Sequence, residues 1–128
     1  MNKKQVVLTA AAPAPIGPYS QAIAANGMLY VSGQIAIIPE TGQLIQTDNV
    51  AEETRQVMQN LGAVLEAGGS NFAQVVKCGI FLADMNDFAA VNEVYGAYFT
   101  SDPPARETVE VSRLPKGVRV EISAIALL

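Results

Sequence analysis

The sequence predicts an α+β fold, a single mixed β-sheet with two helices packed on one face. Three observations lead there. Short apolar or alternating segments, the mark of strands, occur at both ends of the chain and once in its middle. Two segments, 50–67 and 87–99, carry apolar residues at helical spacing. The resulting order is three strands, helix, strand, helix and two strands, in which both amphipathic helices bury their stripes by packing on a sheet. Two helices cover only one sheet face. The other face also carries apolar residues, so the chain is expected to associate.

The elements follow in order. Residues 5–9 read as a first strand, and Ala10 to Pro15 as an extended connection. Gly17-Pro18 marks a bend and places Tyr19 just beyond it, as a turn anchor or a core lid. Strands over 20–25 and 28–32 meet at Asn26-Gly27, a pair that tolerates positive φ and suits a two-residue hairpin. The second strand runs into Ser32-Gly33-Gln34. Gly33 marks either a bulge or a close backbone approach. Pro39-Glu40-Thr41-Gly42 signals a turn.

Over 50–67, Val50, Val57, Leu61, Val64 and Leu65 share one helical face. Asn49 suits the N-cap with Glu52 as its partner, and Gly68-Gly69 suits the stop. Val75 to Leu82 is a strand. The helix over 87–99 lines up Phe88, Val91, Tyr95, Tyr98 and Phe99, with Asp84 or Asn86 as its cap. Asn92 lies beside that stripe, solvated or helix-capping.

The last pair of strands carries the notable charges. Pro103-Pro104-Ala105 is a stiff entry, because each proline fixes its own φ and restricts the residue before it. By alternation Arg106, Thr108, Glu110 and Ser112 share one face, and Glu107 points away from Arg106. In the following strand Val118, Val120, Ile122 and Ala124 form an apolar face, and Arg119, Glu121 and Ser123 point the other way. On spacing alone, Arg106 and Glu121 also fit ordinary surface charges.

Composition narrows the chemistry. The chain has 128 residues, half of them hydrophobic, and the span 1–128 reads as a single domain. It has no histidine and one cysteine. That removes Ser-His and Cys-His nucleophile pairs and the common zinc sets, so no metal site is expected. Cys78 sits in an apolar strand and reads as a buried thiol. A catalyst here draws on carboxylates, Arg, Tyr, hydroxyls and backbone groups. The net charge is −4 with scattered basic residues, which is not the stripe a nucleic-acid binder carries. No apolar run reaches the length of a membrane helix, and no signal segment follows Lys3-Lys4, so a cytoplasmic protein is expected.

Pro104-Ala105-Arg106, Val109-Glu110-Val111, Leu114-Pro115 and Val120-Glu121-Ile122 together resemble the signature of the RidA (YjgF) family. Ile16-Gly17-Pro18-Tyr19-Ser20-Gln21, Ser32-Gly33-Gln34-Ile35 and Asn86-Asp87-Phe88 through Val91-Asn92 and Tyr95 extend the resemblance over nearly the whole chain. It implies a chorismate-mutase-like fold and a homotrimer with sheets facing inward and pockets at the subunit clefts. It also implies hydrolysis of 2-imino acids, such as 2-iminobutanoate and 2-iminopropanoate, to 2-keto acids and ammonia, without a cofactor. Those imines are unstable products of pyridoxal-phosphate dehydratases. By the same resemblance Arg106 holds the substrate carboxylate and Glu121 handles water. Tyr19, Ser32, Gly33, Asn92 and Thr108 then border the substrate. One departure stands out: many relatives have Ser-Cys after the arginine, where this chain has Glu107-Thr108, which bears on substrate range. Other activities remain in view. They are a non-catalytic keto-acid sensor, a ribonuclease (disfavoured by the missing histidine and acidic balance) and, by fold analogy alone, a chorismate mutase.

Overall fold

The computed structural model describes residues 3–45 and 47–128. Met1 and Asn2, the first residues of the lysine-bearing N-terminus, and Gln46 lie outside the described residues. Among the described residues six strands and two α-helices follow one another as β1 (Gln5–Val7), β2 (Ala22–Ala25), β3 (Met28–Gln34), α1 (Val50–Ala67), β4 (Val75–Leu82), α2 (Phe88–Gly96), β5 (Ala105–Glu110) and β6 (Val120–Leu127). The strands form one mixed sheet in the order β1-β2-β3-β6-β4-β5. Among the described residues only the β4–β5 pairing is parallel. The last strand in sequence therefore lies at the centre of the sheet.

The local signals act as their chemistry requires. Asn26 and Gly27 both adopt positive φ, 52° and 74°, and close the β2–β3 hairpin. The Asn49 side chain accepts from the Ala51 N–H at 2.9 Å and caps α1. Among the described residues the expected return bond from the Glu52 side chain is not formed. Ser70 N–H reaches back to Leu65 C=O at 2.8 Å across Gly69, whose φ is +87°, and stops α1 where Gly68-Gly69 was expected to. The second helix is shorter than 87–99. A 3₁₀ turn at Met85–Asp87, capped by Asp84, precedes it, and Tyr98 and Phe99 lie past its end, packed on Phe72.

The core lies between the helices and one sheet face. Val57, Met58, Leu61, Val64 and Leu65 of α1 and Val91 and Tyr95 of α2 meet Leu29, Cys78, Ile80, Leu82, Val120, Ile122 and Ala126 from the strands. Among the described residues no helix covers the opposite face. Val6, Tyr30, Val109 and Leu127 stand exposed there, with Ile23, Phe81 and Ile125 half-buried between them. Among the described residues no helix is long and apolar enough to cross a membrane.

Candidate active site

Strand pairing decides which charged groups share a surface. Residues opposite one another across a sheet project to the same face. Arg106 lies opposite Cys78, and Cys78 opposite Ala124, so Arg106 and Thr108 lie on the helix-covered face. Glu121 lies opposite Phe81, on the open face. The two residues expected to carry catalysis thus project to opposite faces of the sheet within one chain. Glu107 points away from Arg106, as alternation requires, and meets Lys77 on the open face at 3.3 Å. Both partners are half-exposed, so that pair adds little stability.

Glu121 closes the floor of a cleft of about 420 Å³ whose walls include Tyr19, Ser32, Gly33, Ile35, Ile37 and Pro115. The β3–β6 register shifts between Val31 and Gln34, so Ser32 and Gly33 form a bulge. Gly33 serves both purposes its position suggested. A Cβ there would meet Glu121 Cδ at 2.8 Å and Cγ at 2.9 Å, so only glycine lets the carboxylate lie against the backbone. Burial raises the Glu121 pKa above 4.5. Ser32 donates its hydroxyl to Ser20 C=O at 2.6 Å and ties the bulge to the strand entry. Tyr19 is half-exposed. Its hydroxyl accepts from the Ile16 N–H at 3.2 Å, which leaves its own proton available to the cleft.

A second cleft, about 370 Å³, opens at the Arg106 end of the other face, bordered by Asn92, Tyr95, Phe99, Pro103 and Pro104. Arg106 donates from Nη1 to Asn92 Oδ1 at 2.7 Å. Its guanidinium carbon sits 5.1 Å from the Tyr95 ring centre and 5.6 Å from that of Phe88. The Thr108 hydroxyl is enclosed and, among the described residues, has no hydrogen-bond partner. It borders neither cleft through its side chain. The Tyr95 hydroxyl is likewise buried without a well-formed bond, against the Cys78 thiol. Burial raises the pKa of both groups. An uncharged, enclosed thiol is a poor nucleophile.

Three arrangements escaped the sequence reading. Gln21 is fully buried. Its Nε2 donates to the carbonyls of Thr9, Ala12 and Pro13, and its Oε1 accepts from Thr9 N–H at 2.7 Å. It therefore fixes the segment that leads into the Glu121 cleft. Asn60 of α1 grips the carbonyls of Ile35 and Ile37, two further wall residues, at 3.1 and 2.8 Å. Arg119 does not stand free on the polar face with Glu121. It pairs with buried Glu53 at 2.8 Å and donates to the carbonyls of Thr47 and Asp48. Only Arg119, between Val118 and Val120, stands alone among apolar neighbours in sequence; Gln21 and Asn60 each follow another polar residue and Glu53 lies in a charged run, so local pattern does not single them out.

A model of the family described as endoribonuclease L-PSP matches residues 9–128. A RutC family protein of Synechocystis is 54% identical over 125 residues, 97% of this chain and 96% of that protein. The human 2-iminobutanoate/2-iminopropanoate deaminase is 49% identical over 124 residues, covering 97% of this chain and 90% of that protein. Among solved structures, Escherichia coli TdcF with bound serine superposes with a TM-score of 0.91 at 38% identity, over 97% of this chain and 98% of that one.

Proposed function

The chain belongs to the YjgF/RidA family, and on that footing we propose that it is a hydrolytic deaminase of small 2-imino acids. One observation carries the reading beyond family membership. A carboxylate with a raised pKa, Glu121, lies against a glycine backbone in a largely apolar cleft. A carboxylate in that setting is a stronger base than one in water and holds a transferred proton more readily.

The substrate carries a carboxylate beside a C=N carbon. Arg106 binds the carboxylate through two parallel N–H bonds, which suits a planar guanidinium. Glu121 takes a proton from water as the water oxygen bonds to the imine carbon and the C=N pair moves to nitrogen. Glu121 returns that proton to the nitrogen, which gives a carbinolamine. It then takes the hydroxyl proton and passes it to the amine, so that the C–N bond breaks, ammonia leaves and the C=O of the 2-keto acid forms. General-base help of this kind contributes about 10²- to 10⁴-fold. Tyr19 and the Ser32-Gly33 bulge line the Glu121 side; Asn92 and the main chain at Thr108 lie on the Arg106 side. The reaction needs no metal or organic cofactor.

Since Arg106 and Glu121 project to opposite faces, one chain does not hold a complete site. The proposal therefore includes a second copy: the Glu121 cleft of one subunit faces the Arg106 cleft of its neighbour in a homotrimer. The uncovered apolar sheet face supports this, because a surface of that kind is stabilised by burial in an assembly. Serine bound in TdcF supports a ligand of amino-acid size and charge.

A coupled assay tests the function. A threonine dehydratase generates 2-iminobutanoate, and release of the keto acid is followed with and without this protein. Faster release is expected, unchanged by chelators. No acceleration by a folded, oligomeric sample overturns the deaminase reading.

A further inference from the structure

Arginine is only as selective as its orientation. Its five N–H donors lie in one plane, and that plane decides which anions it binds through two bonds. Arg106 has three neighbours that constrain it. Tyr95 and Phe88 lie within 5.1 and 5.6 Å of its guanidinium carbon, and Asn92 Oδ1 accepts from Nη1 at 2.7 Å. The last contact also fixes the amide. Arginine has no acceptor, so the Asn92 atom facing it is the oxygen, and the Asn92 NH₂ is turned elsewhere. Among the described residues Arg106 makes no other side-chain hydrogen bond, which leaves its remaining N–H groups for a ligand. Tyr95 is 4% exposed, and its hydroxyl has no partner, so what it offers Arg106 is its ring.

From this geometry we infer that Asn92, Tyr95 and Phe88 are positioning residues that hold the Arg106 guanidinium as a preoriented clamp for a planar carboxylate. Asn92 then acts through Arg106. The inference rests on the reading of Arg106 as the carboxylate anchor. It adds that the anchor's affinity is set by an aromatic and amide frame on α2.

The test combines kinetics, pyruvate binding by calorimetry and the NMR signal of the Arg106 Nε–H. Asn92 is exposed, so its variants do not threaten the fold. Asn92→Asp puts a competing carboxylate on Nη1. It should raise KM for the imine and Kd for pyruvate about tenfold or more, with a much smaller change in kcat. Tyr95→Leu removes the ring and should raise KM about three- to thirty-fold. Tyr95→Phe, which keeps the ring and drops only the unpartnered hydroxyl, should rescue it. The Nε–H signal should be shifted by ring currents in the parent and in Tyr95→Phe, and lose that shift in Tyr95→Leu.

Equal losses in Tyr95→Leu and Tyr95→Phe, or an Asn92→Asp protein with parental KM and Kd, overturn the clamp. A parent that neither binds pyruvate nor speeds hydrolysis overturns the deaminase reading. In that case the NMR comparison still decides the clamp: an unshifted Nε–H in the parent refutes it.

Discussion

Glu121 and Arg106 carry opposite demands. Glu121 has to lose its proton to act as a base, and burial opposes that loss. The basic form therefore accumulates at higher pH than for an ordinary glutamate, and the rate should climb through that raised value and then level off. In Glu121→Gln the limb should vanish along with about 10²-fold or more of the rate. The same shift has a stability consequence. A folded pKa above the unfolded one means that the native state binds the proton more tightly. Its contribution is fully present below the unfolded pKa and lost as pH rises through the folded one. Denaturant titrations of Glu121→Gln should show that decline removed. Arg106 is always charged, so its test is one of shape. Lysine keeps the charge and loses the planar fork. Arg106→Lys should have turnover far closer to Arg106→Ala than to the parent, and near-parental turnover would show that charge alone suffices.

At the scale of elements, the site rests on polar side chains that reach out of regular structure to hold irregular backbone. Gln21, beside β2, organises residues 9–13, and Asn60 of α1 holds residues 35–37. A buried backbone group that loses its partner costs about 1–3 kcal/mol. Gln21→Leu should therefore lower stability by at least about 2 kcal/mol, read by urea denaturation. It should also raise KM, because Pro13 and Ala14 border the Glu121 cleft. A variant of parental stability would show that water replaces the amide. The bulge at Ser32-Gly33 acts at the same scale, since it opens the space in which the Glu121 carboxylate lies.

For the whole molecule the decisive fact is that one sheet separates the two charged groups. If a complete site needs two copies, activity should depend on assembly, and sedimentation should find a trimer at micromolar concentration. Subunit mixing gives a sharper outcome. Arg106→Ala and Glu121→Gln proteins should each be inactive alone. Unfolded together and refolded, they should regain activity, because about a quarter of randomly formed clefts would pair an intact arginine with an intact glutamate. No recovery from a mixture shown to contain mixed trimers would show that Arg106 and Glu121 do not form a shared site across subunits.

What the sequence determined by itself was local or periodic. Helical spacing from Val50 to Leu65, the Asn26-Gly27 hairpin, the Gly69 stop and the alternation that turns Glu107 from Arg106 all depend on neighbours a few residues away. Short-range sterics and hydrogen bonding settle such features, so they can be read before the fold is known. The motif residues were legible through their resemblance to a family, but their arrangement was not. Alternation sorts side chains within one strand and is silent on how the faces of two strands correspond. That depends on register, and it took the placement of β6 between β3 and β4 to put Glu121 on the open face and Arg106 under α2. The roles of Gln21, Asn60 and the Glu53–Arg119 pair were likewise decided by tertiary structure. Each satisfies polar groups far away in the chain, and only burial in the folded molecule makes that satisfaction necessary.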